Sequence, residues 1–195
     1  MTASILTALL LLAPITPETA RFTIRQDGRT IGTEEFTIRT RDKGYVAEGK
    51  TQLVGDPSPL TSRMELDENL NPTSYEYKRG PGTMRIKIEG VTSEMTVIEG
   101  GAESSTDFRF PDGGSIVDNN FFHHYLLLLY RMKGADQKFP IFVPQDMQLG
   151  QARIRSTGNR TYAIEVGDVK LDATVDASGR LTRLAVPAAK VVVER

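Results

Sequence analysis

Residues 118–134 read DNNFFHHYLLLLYRMKG, and this stretch decides the fold. Phe121, Phe122, Tyr125, Leu126, Leu128, Leu129 and Met132 recur at helical spacing, and Leu127 and Tyr130 widen the stripe almost around the cylinder. A helix that is apolar on most sides packs inside a protein rather than on it. Asp118 or an adjacent asparagine can cap its start, Arg131 and Lys133 suit its last turn, and Gly134 can stop it. The spacing predicts a helix over 119–133. A helix of this size is roughly 21 Å long, too short to cross a bilayer.

Outward from that helix the period changes to two. Phe22 and Ile24 alternate with polar residues up to Asp27-Gly28, a hairpin dipeptide in which both residues tolerate positive φ. Phe36 and Ile38 continue a second strand, and Ala47, Gly49, Thr51 and Leu53 share one face of a third. Met64 with Leu66, Tyr75 with Tyr77, the run Met84, Ile86, Ile88, and Met95 with Val97 mark four more, each bounded by Gly, Pro or Asn turns. The pattern resumes at Tyr162–Val166, Val169–Val175 and Leu181–Val186, and Val191–Val193 closes the sheet. Strands at this spacing form a meander with one wet and one buried face. The fold class is therefore mostly β, a curved antiparallel barrel or half-barrel whose concave side encloses one apolar α-helix. Residues 21–195 form a single domain.

Hydrophobic residues make up 39% of the 195-residue chain and charged residues 25%, which suits a folded globular protein. The net charge is −1 with both signs mixed along the chain, so no basic stripe offers a nucleic-acid surface. The absence of cysteine removes thiol catalysis, disulfides and thiolate metal sites. Ile5–Ala13 (ILTALLLLA) is an apolar run of signal-peptide length. Residues 1–20 are expected to form a leader processed near Ala20, or kept as an anchor, placing the protein in the periplasm or outside the cell. Against this stand the lack of Lys or Arg before Arg21 and the carboxylate of Glu18 close to the cut.

Gly44–Thr51, GYVAEGKT, satisfies the spacing of a phosphate-binding loop. Its context is wrong: polar residues precede it, and Asp56-Pro57-Ser58-Pro59 follows where a helix should begin. No nucleotide is expected, nor any cofactor. His123 and His124 are the only histidines, and adjacent helix positions point about 100° apart, so they cannot chelate one metal together. Glu34 and Glu35 occupy opposite faces of one strand, and Gly113-Gly114-Ser115-Ile116-Val117 lacks the second glycine of a nucleophile elbow. No catalytic residue is assigned. Tyr75, Tyr77 and Met84 from the sheet, with Phe122, His123 and Tyr125 from the helix, are the candidate lining of an apolar ligand pocket.

Certain motifs recur together: the hairpin with Gly28, Gly32 and Glu35, the turn from Leu66-Asp67 to Pro72, the segment Asp118–Tyr125, the run Pro140–Gln145, and the ending Gly179–Pro187. The chain thereby resembles a poorly characterised family of secreted bacterial β domains, also found N-terminal to secreted α/β-hydrolases. The resemblance implies export and a shape similar to lipoprotein-carrier (LolA-like) half-barrels. Three functions stay open: a non-catalytic cell-envelope module holding an apolar or lipid-like molecule, an accessory protein for a secreted hydrolase, and an enzyme using His123 or His124.

Overall fold

The computed structural model describes residues 15–90 and 92–195. Among the described residues, fifteen strands form one sheet. The N-terminal run comprises β1 (Glu18–Gln26), β2 (Arg29–Arg41), β3 (Gly44–Leu53), β4 (Leu60–Asp67), β5 (Pro72–Arg79), β6 (Gly82–Glu89), β7 (Thr92–Glu99) and β8 (Ala102–Phe108). After β9 (Ser115–Ile116) comes the helix α1 (His123–Arg131). The second run comprises β10 (Asp136–Val143), β11 (Gln148–Gly158), β12 (Thr161–Val166), β13 (Val169–Val175), β14 (Leu181–Val186) and β15 (Val191–Glu194).

Spatial order follows chain order within each run, and the runs join where β1 pairs with β15. Every neighbouring pair is antiparallel except β9 and β10, which are parallel because α1 carries the chain across between them. The sheet does not close into a barrel; its ends are the edges of β8 and β9. The two wings are nevertheless brought together, since Phe108 of β8 stacks on Phe142 of β10 with ring centroids 4.6 Å apart. This is the curved half-barrel with one helix that the alternation predicts.

The inner face follows the period of two. Phe22, Ile24, Phe36, Ile38, Met64, Tyr75 and Ile86 are buried with Leu126, Leu127 and Leu128 of the helix in one core. The outer face carries cross-strand charge instead: Glu48 and Glu65 each accept from Arg63, Glu48 also from Arg39, and Glu65 from Arg41. At Asp27-Gly28 both residues have positive φ, 49° and 78°, the backbone a two-residue hairpin requires. Gly44–Thr51 lies within β3 and runs on as strand through Leu53, which removes the phosphate-loop reading.

Small residues on the inner face let the helix approach. A β-carbon added to Gly49 would sit 2.5 Å from His123 Cε1 and 3.1 Å from Phe121 Cδ1, so only glycine fits there. Across the ladder its partners are Phe36 on one side and Ser62 on the other.

Candidate functional site

The start of α1 is a buried polar cluster. Its first free backbone donors do not go to Asp118 or the asparagines, as capping from the preceding residues would have it. They go to Glu34 of β2: Phe122 N–H donates to Oε2 at 2.7 Å and His123 N–H to Oε1 at 3.4 Å. The helix proper consequently begins at His123, four residues later than the expected start, and Asp118–Phe122 form the turn before it. A carboxylate at a helix N-terminus meets both unpaired N–H groups and the positive end of the dipole. Glu34 Oε1 also lies 2.5 Å from His123 Nδ1, and both side chains are completely buried. That short bond ties the His123 ring to the carboxylate that also receives the helix N–H groups.

Asp118 serves the neighbouring contacts. Its Oδ2 accepts from the Tyr75 hydroxyl at 2.5 Å, and its Oδ1 accepts the Asn120 N–H at 2.9 Å. Its own N–H donates to His124 Nδ1 at 3.1 Å. Burial raises the Asp118 carboxyl above its ordinary range, partly offset by the bond from Tyr75. Burial, reinforced by the Asp118 charge, pushes the Tyr75 phenol well up. Burial, with His123 beside it, holds His124 well below the ordinary imidazole value. The imidazole rings of His123 and His124 meet edge to face at 4.5 Å.

The six residues expected to line a pocket separate into two groups. Tyr75, His123 and Tyr125 are 1%, 0% and 5% exposed, and burial lifts the Tyr125 phenol to about 12. All three pack within the core, and Tyr75 and His123 hydrogen-bond there. Tyr77, Met84 and Phe122 are half-buried against that core; Tyr77 and Met84 are cross-strand partners, and Tyr77 meets Phe121 edge-on at 6.3 Å. The concave face is filled by the helix, and neither histidine is open to a substrate. Among the described residues, no group of three or more His, Cys, Asp or Glu is arranged to hold a metal.

Open volume lies at the other end of α1. A cleft of about 470 Å³ is bounded by Tyr45, Leu70, Tyr130 and Phe139, with Arg131, Lys133 and Lys138 around it. That size suits a small organic ligand. Four segments shape it: the start of β3, the turn after β4, the loop before β9, and the passage from α1 into β10. Arg131 ties them together. Its guanidinium donates to Gly113 O, Gly114 O, Ser115 Oγ and Asn71 Oδ1, and it lies 5.5 Å from the centre of the Phe139 ring. Hollows of about 430 and 470 Å³ also occur over the outer face, but half-buried ion-paired side chains such as Glu48, Arg63 and Glu76 wall them.

The capping role of Glu34 and the cleft are not among the sequence expectations. Glu34 had a signal: it follows the inward parity of Phe36 and Ile38, where an ionisable side chain must find a buried partner. The cleft had none, because Tyr45, Leu70 and Phe139 lie on three elements distant in the chain.

No known family model matches the chain. No curated protein matches it either. A solved structure, the crystal structure of a DUF1089 family protein from Pseudomonas aeruginosa, is similar over 80% of this chain and 90% of that one, at 13% identity and a TM-score of 0.49. So distant a likeness carries no argument about function.

Proposed function

We propose that this protein is a non-catalytic binding module of the cell envelope, and that its ligand occupies the cleft at the C-terminal end of α1. The observation that carries this reading is the contrast between the two ends of the helix. At the N-terminal end Glu34, Tyr75, Asp118 and the two histidines are buried and hydrogen-bonded within the fold; at the C-terminal end an open cleft brings Tyr45 and Tyr130 together with charged side chains of both signs. A concave site where polar groups converge beside aromatic rings is a usual place for a small molecule. The apolar run Ile5–Ala13 and the resemblance to secreted, carrier-like β domains support export. Native mass spectrometry of protein purified from its own envelope fraction, followed by lipid extraction, tests the reading. A co-purifying mass that disappears in a folded Tyr45→Glu variant supports it. A bound mass indifferent to Tyr45→Glu places the ligand elsewhere and refutes the site.

A second reading rests on β8. Six of its seven residues are exposed, and one of its edges has no strand beside it. Such an edge can receive a strand from a partner, such as a secreted hydrolase. Proline substitution at Glu103, whose N–H faces away from β7 in this register, would block that pairing and leave the cleft untouched.

A further inference from the structure

We infer that the open edge of β8 takes up an extended segment of a partner protein carrying two basic residues four positions apart; this deepens the second reading above and rests on it. β7 and β8 are joined by Gly100-Gly101, both at positive φ (59° and 85°), and Glu99 and Ala102 pair directly across that two-residue turn. Counting from that pair, Ala102, Ser104, Thr106 and Phe108 bond to β7, so the N–H and C=O groups of Glu103, Ser105 and Asp107 point the other way. Among the described residues no strand lies on that side, and no other backbone group bonds to these three. Alternate open donors and acceptors of this kind are what guides an added strand into register.

Charge selects the partner. Residues 92–108 contain Glu94, Glu99, Glu103 and Asp107 and no lysine or arginine. The side chains of Glu103, Ser105 and Asp107 share the outer face, where the Ser105 and Thr96 hydroxyls bond at 3.0 Å. Glu94 stands directly opposite Asp107 on that face, a like-charge pairing that costs a sheet stability. The nearest cations of β6 are engaged: Lys87, across from Glu94, lies 2.7 Å from Glu89, and Arg85 lies 3.0 Å from Glu76. Arg109, the residue after β8, is exposed and offsets at most one of the four charges. The same excess of acid disfavours two nearer occupants. A second copy laid antiparallel across Ser105 would set Glu103 of one chain against Asp107 of the other. Residues 1–14 and 91 of this chain hold no lysine or arginine. A basic partner strand instead places the residues opposite Glu103 and Asp107 on one face, four positions apart, each beside a carboxylate.

Amide NMR of the full chain tests this, with three end-capped peptides as probes: Thr-Lys-Val-Thr-Val-Lys-Thr, its analogue with Glu for Lys, and the basic peptide N-methylated at both lysines and the threonine between them. The basic peptide is expected to slow amide exchange at Glu103, Ser105 and Asp107. It should bind at least about fivefold more tightly than the acidic one at low salt, a margin that narrows as salt is added. Glu103→Lys combined with Asp107→Lys should reverse that order with the fold intact, since both side chains are exposed. Equal binding of the basic and acidic peptides, with the three amides protected, would overturn the charge preference while leaving the edge as a docking site. Basic-peptide binding that survives N-methylation, with the three amides unprotected, would be a loose charge contact and would overturn strand addition. A dimer in sedimentation that Glu103→Pro dissolves would make a second copy the occupant and overturn the basic partner. Binding of neither peptide at millimolar concentration would overturn the inference and the reading beneath it.

Discussion

Gly49→Ala adds one carbon at the most crowded point between sheet and helix. That carbon would meet His123 Cε1 at 2.5 Å, so the ring must retreat by about 1 Å to reach an ordinary carbon–carbon contact. The ring is held on two sides: Phe36 stacks on it at 5.6 Å and 7°, and Glu34 holds Nδ1 at 2.5 Å. A retreat of that size removes the hydrogen bond. Overpacking costs about 1–3 kcal/mol, and a lost bond to a charged group about 1.5–3 kcal/mol. Replacing glycine by alanine in a strand returns about 0.5–1 kcal/mol. The net expectation is a loss of about 2–5 kcal/mol in urea unfolding at pH 7.5. Gly82→Ala is the control, since its added carbon meets only Arg79 O at 3.4 Å, an ordinary contact. In a His123→Ala background the Gly49→Ala penalty should shrink by at least about 2 kcal/mol. A Gly49→Ala protein within about 0.5 kcal/mol of wild type, or an equal penalty in both backgrounds, would refute this packing.

Further expectations concern the buried polar groups. Glu34→Ala leaves two helix donors and the His123 ring without their carboxylate and should cost about 3–5 kcal/mol in the same assay, with Glu34→Gln costing less. His124 is held below its ordinary value in the folded state, so below about pH 6.5 the unfolded chain binds a proton that the folded chain does not. Stability should fall on acidification by up to about 1.4 kcal/mol per pH unit, and His124→Gln should flatten that slope. Asp118 acts with the opposite sign, because its raised value lets the folded state take up a proton first, but only as the pH nears the carboxylate range. A urea midpoint constant from pH 7.5 to 5.5 would contradict the buried neutral His124. Glu18 accepts from Arg195 at 2.6 Å and Tyr130 at 3.0 Å, so a chain beginning at Arg21 should be less stable than one beginning at Pro17 by at least about 1.5 kcal/mol. Equal thermal midpoints for the two would show those bonds to be idle.

Which parts of this structure the sequence discloses follows from where each side chain points. Phe22, Phe36, Met64, Tyr75 and Ile86 announce their strands because one face is wet and the other dry. β8 and β11 escape that reading. In AESSTDF nearly every residue is exposed, and in β11 only Ala152 and Ile154 face the core, so neither alternates clearly. The apolar helix is plain from its composition, but its start is not. Glu34, 89 residues away in the chain from His123, supplies the cap, and no local pattern encodes it. The cleft is hidden for the same reason. The adjacent histidines drew attention as rare residues, yet they hold the helix to the sheet.

The central claim is that ligand binds at the C-terminal end of α1 while its N-terminal end holds the fold. The most direct test is backbone amide NMR of isotopically labelled protein titrated with decanoate. Shift changes are expected to be confined to Tyr45, Glu68–Asn71, Asp112–Gly113 and Tyr130–Phe139, with Tyr77, Met84 and Phe122 unmoved. Changes centred on Tyr77, Met84 and Phe122, with the cleft silent, would contradict it and return the site to the concave face.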